Sequence, residues 1–260
     1  MLKIFKYSFF DVLRSRWTII YFLFFLISTL SLLYLSNSLS KAIASLMNVA
    51  LAIIPLISIV FGVMHYYNSR DFIDLLLSQP IKRKDVFLGQ FSGLASSLSA
   101  SFFLGTIIPF AIYGVFVSGE IWDFGILAVA GLFLTFIFVA LSFFISMINE
   151  DKIKGFGFAI LIWLFLSVLY DGLILLFFVS FSDYPLETPS ILFTILNPID
   201  LSRVLILLKL DISALMGFTG AVFNQFFGTS SGMLVSFLSL IFWLTLLLWG
   251  IRHISQKKDF

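Results

Sequence analysis

An all-α integral membrane protein of six transmembrane helices is the fold that this sequence predicts, on three observations. Only 12% of the 260 residues are charged and 60% are hydrophobic, whereas a soluble domain carries about 25% charged residues. Charge-free windows recur at the ~20-residue length that a helix needs to cross a ~30 Å hydrocarbon core. The Lys and Arg residues gather on alternate connections between those windows. So little charge cannot coat a globule, which excludes a soluble enzyme, a nucleic-acid binder and a disordered scaffold. The net charge of +2 points to no acidic partner, and the absence of cysteine excludes disulfides, thiolate metal sites and a Cys nucleophile.

The first 16 residues form an elbow helix. Lys3, Lys6, Phe10 and Arg14 fall on one stripe, with Leu2, Phe5, Phe9, Val12 and Leu13 on the other side. Such a helix can lie at the lipid headgroups with its cations toward anionic lipid. The alternative is a positive flank that only sets topology. The first span is 17–35, and its apolar run exceeds the ~7–15 residues of a signal-peptide core. The second is 42–67, interrupted by Asn48, Pro55 and His65.

The connection 68–90 carries acids and bases together. Ser69 is placed to cap a short helix, and Asp71 and Asp74 complement its N-terminal dipole. Phe72, Ile73, Leu75 and Leu76 give it an apolar side, Pro80 stops it, and Lys82, Arg83 and Lys84 follow. A helix docking to a partner and a solvated connector resting on the membrane fit equally well.

The run Val86–Gly119 is too long for one straight span, so the third helix is expected at about 91–117, bent near Gly105 and Pro109. Its Gly93, Ala95, Ser96, Ser97, Ser99, Ala100, Ser101 and Gly105 permit close helix approach, within the chain or across a dimer. The fourth span is 124–148 and the fifth 155–180. Asp171 is the one acid deep in a span, where an insertion cost of about 2.5–3.5 kcal/mol applies. A pathway lining, a proton site and a structural carboxylate bonded to a neighbouring helix all accommodate it. With no Lys or Arg inside a span, an ion-coupled relay is poorly supported.

The outer segment 181–232 is long for a connection. Asn197 and Pro198 suit a helix cap and first turn, Leu201, Val204, Leu205 and Leu208 recur at helical spacing, and Arg203 is three residues from Asp200. The run Ile212–Gly232, broken by Gly217, Gly220 and Gly228, reads as re-entrant or interfacial, with a seventh span as the alternative. The last span is 233–251.

Six spans leave both ends on one side. Thirteen Lys and Arg residues lie on that side, and only Lys41, Arg203 and Lys209 on the other. The positive-inside rule then places both termini in the cytoplasm. There is no phosphate-cradling loop, no H-E-x-x-H, and no second ligand beside His65 or His253. No catalytic, cofactor-binding or metal-binding residue is expected in this chain.

The order of these pieces, an elbow, six spans, a connector helix after span two and a helical outer segment before span six, resembles the permease subunits of type-2 ABC exporters. The stretches Tyr67–Arg70, Leu76–Arg83, Leu196–Arg203 and Ser213–Phe223 are similar in particular to the NosY-type permeases of nitrous-oxide reductase maturation. The resemblance implies a homodimer in the bacterial inner membrane and a separate ATPase subunit that binds the ATP. It implies a coupling helix over Arg70–Pro80, so that Arg70, Asp71, Asp74, Leu75 and Gln79, with Lys82 and Arg83, face the ATPase. It also implies a periplasmic partner of the NosD type on the outer segment, where Asn197, Pro198, Asp200 and Arg203 are the candidate contacts. The function implied is copper–sulfur centre assembly, by moving a sulfur species or by transmitting motion. A type-2 permease with lipid, peptide or drug cargo shares these features, and a scaffold or secondary transporter outside the ABC class is the remaining alternative.

Overall fold

Inside hydrocarbon no water is available to bond an exposed amide, so an apolar segment must pair its backbone within itself. The computed structural model describes residues 1–36, 38–182, 184, 186–210 and 230–257, and there is no strand among them. In chain order the helices are α1 (Leu2–Leu13), α2 (Arg16–Leu35), α3 (Leu39–Asn68), α4 (Arg70–Leu77), α5 (Arg83–Ile112) and α6 (Ile121–Ile148). There follow α7 (Lys152–Leu164), a π-helical turn at Phe165–Leu169, α8 (Tyr170–Ser180), α9 (Glu187–Leu196), α10 (Pro198–Lys209) and α11 (Ser230–Lys257). Six of these segments are long and apolar enough to cross a membrane: α2, α3, α5, α6, the continuous stretch Lys152–Ser180, and α11.

The axis of the bundle is α6, which packs against α3, α5, α10 and α11. Its Leu134, Phe138, Val139, Ala140 and Phe143 are almost wholly buried. Aromatic rings mesh edge to face across the helices: Phe25 of α2 meets Phe102 of α5 at 4.9 Å between centroids, an arrangement favoured by the ring quadrupole.

The elbow is held by the bundle. Its buried stripe is Ile4, Ser8 and Val12; of the expected apolar side only Val12 is buried, while Phe5, Phe9 and Leu13 are partly covered and Leu2 is exposed. The reason lies on α5, where two glycines let the backbones close up. A Cβ at Gly93 would stand 2.6 Å from the Ser8 Cβ and 2.9 Å from the Phe9 nitrogen, and one at Gly89 would stand 3.0 Å from the Ile4 Cβ. Farther along α5, a Cβ at Gly105 would stand 2.9 Å from the Phe22 carbonyl oxygen of α2. Gly93 and Gly105 of the small-residue stripe therefore serve packing within the chain.

The third span differs from its expected limits. It begins at Arg83, not Phe91, because Lys82 is the N-cap and the basic cluster opens the helix itself. It ends at Ile112, before Val117. The chain breaks at Gly114, whose φ of +81° is a conformation reserved largely for glycine, and it runs on past Gly105 and Pro109 before that. The second span starts earlier than expected, since the Ser38 side chain caps the Lys41 amide. Asp151 does the same for α7, accepting from Ile153 N at 2.8 Å.

After α8 the chain turns back. The helical stretches Pro189–Leu196 and Pro198–Leu208 meet at 113°. A residue before proline is pushed to extended backbone, and Asn197 adopts φ −117° and ψ 112° there. The second arm, α10, inserts between α6, α3 and α11, and its Ile199, Leu201, Val204, Leu205 and Ile206 are buried. Of the run Ile212–Gly232, positions up to 229 lie outside the described residues, as does the Ser213–Phe223 stretch. The last three open α11, ahead of the expected Met233.

Candidate functional site

Two polar constellations stand at opposite ends of the bundle. At the end rich in Lys and Arg, the end of α3 and α4 are tied to the α6–α7 connection and to the elbow. Tyr67, the penultimate residue of α3, donates its hydroxyl to the Asn149 carbonyl at 2.6 Å. Arg70 Nη1 donates to the Glu150 carbonyl at 3.4 Å, and Lys152 Nζ to Asn68 Oδ1 at 3.1 Å. The Phe72 ring lies 5.0 Å from the Tyr7 ring of the elbow. Ile73 is the buried anchor of α4, at 2% exposure.

These ties leave one face of α4 outward. Asp71, Asp74, Leu75 and Gln79 are exposed, and Arg70, Lys82 and Arg83 are exposed beside them. The spacing 71, 74, 75, 78 is that of one helix face. The expected apolar side is therefore divided: Ile73 is buried and Phe72, Leu76 and Leu77 are partly covered, while Leu75 keeps 57% of its surface. Ser69 occupies the N-cap position, yet its side chain makes no cap bond. A short helix with mixed charges and one exposed leucine is thus braced from behind by the α6–α7 connection and by the elbow.

At the other end, Asp171 finds a cation that the one-span view of the sequence denies it. Arg203, carried back by α10, places Nη1 2.9 Å from Asp171 Oδ2 and 2.9 Å from Asp200 Oδ1. Asn197 Nδ2 donates to Asp200 Oδ2 at 2.8 Å and to the Leu166 carbonyl at 2.8 Å. Its Oδ1 accepts from Ile199 N at 3.1 Å, capping α10. Leu166 belongs to the π turn, a wider turn that often marks functional sites. Tyr170 donates to the Phe193 carbonyl at 2.7 Å, and Trp243 Nε1 to the Ile195 carbonyl at 3.2 Å. The fold-back is thus pinned to the fifth span by both arms and to the sixth by one.

The pairing of Arg203 with Asp200 is as the spacing predicts. The outward role of this group needs correction: Asn197 and Asp200 have 0% and 8% exposure, and Pro198 is buried as well. Their polar atoms are turned to one another and to the fifth span. Tyr67 entered only as the first residue of a stretch carrying the resemblance, and Tyr170 and Trp243 did not stand out in the sequence. The adjacency of Tyr170 to Asp171 was the one available hint. Among the described residues no three His, Asp or Glu side chains are grouped to hold a metal.

No family model matches the chain. It is 27% identical to the "Probable ABC transporter permease protein NosY" of Stutzerimonas stutzeri, over 92% of this chain and 89% of that protein. The NosY protein of Pseudomonas aeruginosa is 26% identical over 92% of the chain and 90% of its own length. This chain is a membrane protein that is similar over most of its length to these ABC transporter permeases.

Proposed function

We propose that the chain works as the permease subunit of an ABC transporter, as a homodimer, with a separate ATPase docked at the basic end of each copy. The observation that carries this reading is the outward face of α4, braced by Tyr67, Arg70 and Phe72 on the elements behind it. ATP binding by the partner would have to favour one permease conformation over another, since only differential affinity shifts an equilibrium. The braced helix gives that bias a lever. The positive-inside rule supports a cytoplasmic basic end, in a bacterial inner membrane.

By likeness to NosY, the finer role is in copper–sulfur centre assembly of nitrous-oxide reductase, with a NosD-type protein on the outer side. Either a sulfur species crosses, or motion passes through the fold-back to that partner. An apolar fifth span that is 0% buried over its membrane window supports pairing with a second copy. The test is co-purification. Asp74→Arg reverses a charge on the exposed face of α4 without touching a buried side chain. It should reduce recovery of the neighbouring ATPase several-fold while membrane insertion stays unchanged. Full ATPase recovery with the variant removes α4 from the interface.

A further inference from the structure

Two cavities beside the elbow share a wall. One, of 360 Å³, is an apolar groove between α2 and α3 that runs from Ile53 through Ile57 and Val60 to Met64. The other, of 240 Å³, sits where α1 meets the end of α3 and carries Asp11, Ser15, His65, Asn68 and Ser69. Trp17, Phe61 and Met64 line both, so the two form one cleft with an apolar stem and a polar head.

Its dimensions and chemistry match an amphiphile. From Ile53 to Met64 the groove follows α3 for about 16 Å at ~1.5 Å per residue. One leaflet of the hydrocarbon core is about 15 Å deep, half of ~30 Å. Trp17 stands at the junction, where indoles mark the membrane–water boundary. The polar head has one carboxylate, Asp11, at its mouth and no Lys or Arg among the described residues that line it. Asp11 also borders the adjoining hollow of Lys3, Lys6 and Arg14 on the elbow, and on the side of the cleft, where no Lys or Arg lines the wall, its carboxylate favours a cationic headgroup. Ser15, Ser69 and Asn68 supply hydrogen-bond donors beside it for a phosphate.

We propose that this cleft binds a phospholipid with a primary-amine headgroup from the leaflet at the basic end. One acyl chain lies in the α2–α3 groove and the ammonium pairs with Asp11. The lipid ties the elbow to α3, the helix that leads into α4. This inference uses none of the permease reading and stands or falls apart from it.

The test uses the full chain in vesicles of phosphatidylethanolamine and phosphatidylglycerol, with a photoreactive group on the acyl chain of one or the other. With the ethanolamine probe, labelling should concentrate on α2 and on Ile53–Met64 of α3. Asp11→Asn should lower it about tenfold, the loss of one charge-assisted hydrogen bond, and leave the glycerol probe unaffected. Ile57→Trp should displace either probe from the groove. Equal labelling by both probes, or labelling spread evenly over the outward faces of all spans, overturns the proposal. So does an interchain disulfide from Ile57→Cys in place of lipid labelling, because a second copy would then fill the groove. The wild-type labelling map decides the matter even if a variant fails to fold.

Discussion

Arg203 holds two carboxylates with one nitrogen, and each would repel the other without it. Its side chain is 32% exposed, against 42% for Asp171 and 11% for Asp200. An exposed ion pair contributes up to about 1 kcal/mol, and breaking a buried one costs about 3–5 kcal/mol. This half-buried group falls between them. Arg203→Gln should therefore destabilise the detergent-purified protein by about 2 kcal/mol. Asp171→Asn, which leaves the Arg203–Asp200 bond intact, should cost less and preserve assembly while impairing function. Thermal unfolding of the two variants checks the order. A wild-type midpoint for Arg203→Gln would mean that the cluster does not fasten the fold-back. Asn197→Ala removes a cap and both amide bonds at once, and a loss of about 1–2 kcal/mol is expected from the cap alone.

At the scale of elements, the elbow and α4 depend on how closely helices approach. At Gly93 the two helices leave no room for a Cβ, and the obstructing atoms include the Phe9 backbone nitrogen at 2.9 Å, which cannot rotate away. Gly93→Ala should therefore lift the elbow, at the ~1–3 kcal/mol typical of overpacking. Limited trypsin digestion at Lys3 and Lys6 should then speed up. Gly125→Ala is the control, because a Cβ there meets nothing within 4 Å and alanine favours a helix. Equal digestion of both variants would show that the elbow is not seated on α5. The same closeness explains why Tyr7 reaches Phe72, so that a loosened elbow should also weaken ATPase recovery.

For the whole molecule, the decisive quantity is which end faces the cytoplasm. The chain has no cysteine, so a single introduced thiol reports without background. Ser78, next to α4, is exposed, and Val117, in the turn after α5, is 95% exposed. A membrane-impermeant maleimide should label Val117→Cys on intact cells lacking an outer membrane barrier. It should label Ser78→Cys only after the membrane is opened. The reverse pattern would put α4 on the wrong side for any ATPase and overturn the proposed function.

The sequence by itself determined the six spans found among the described residues and their order, the elbow, the short helix after the second span, and the cap at Asn197. These follow from composition and local rules: charge-free length, the capping residue, and the restriction before proline. The limits of the third span were less legible, because a charge-free run does not say where a helix starts once Lys82 caps it and Gly114 ends it. What only the tertiary structure decided is which residues meet. Asp171 and Arg203 are 32 positions apart, and their pairing depends on a 113° fold-back that no helical periodicity encodes. The buried side of the elbow was likewise set by two glycines on another helix. Hydrophobic pattern tells a membrane helix that it must be buried in lipid or protein, but not which. In an apolar solvent that choice is made by close packing and by the few polar groups that must find partners.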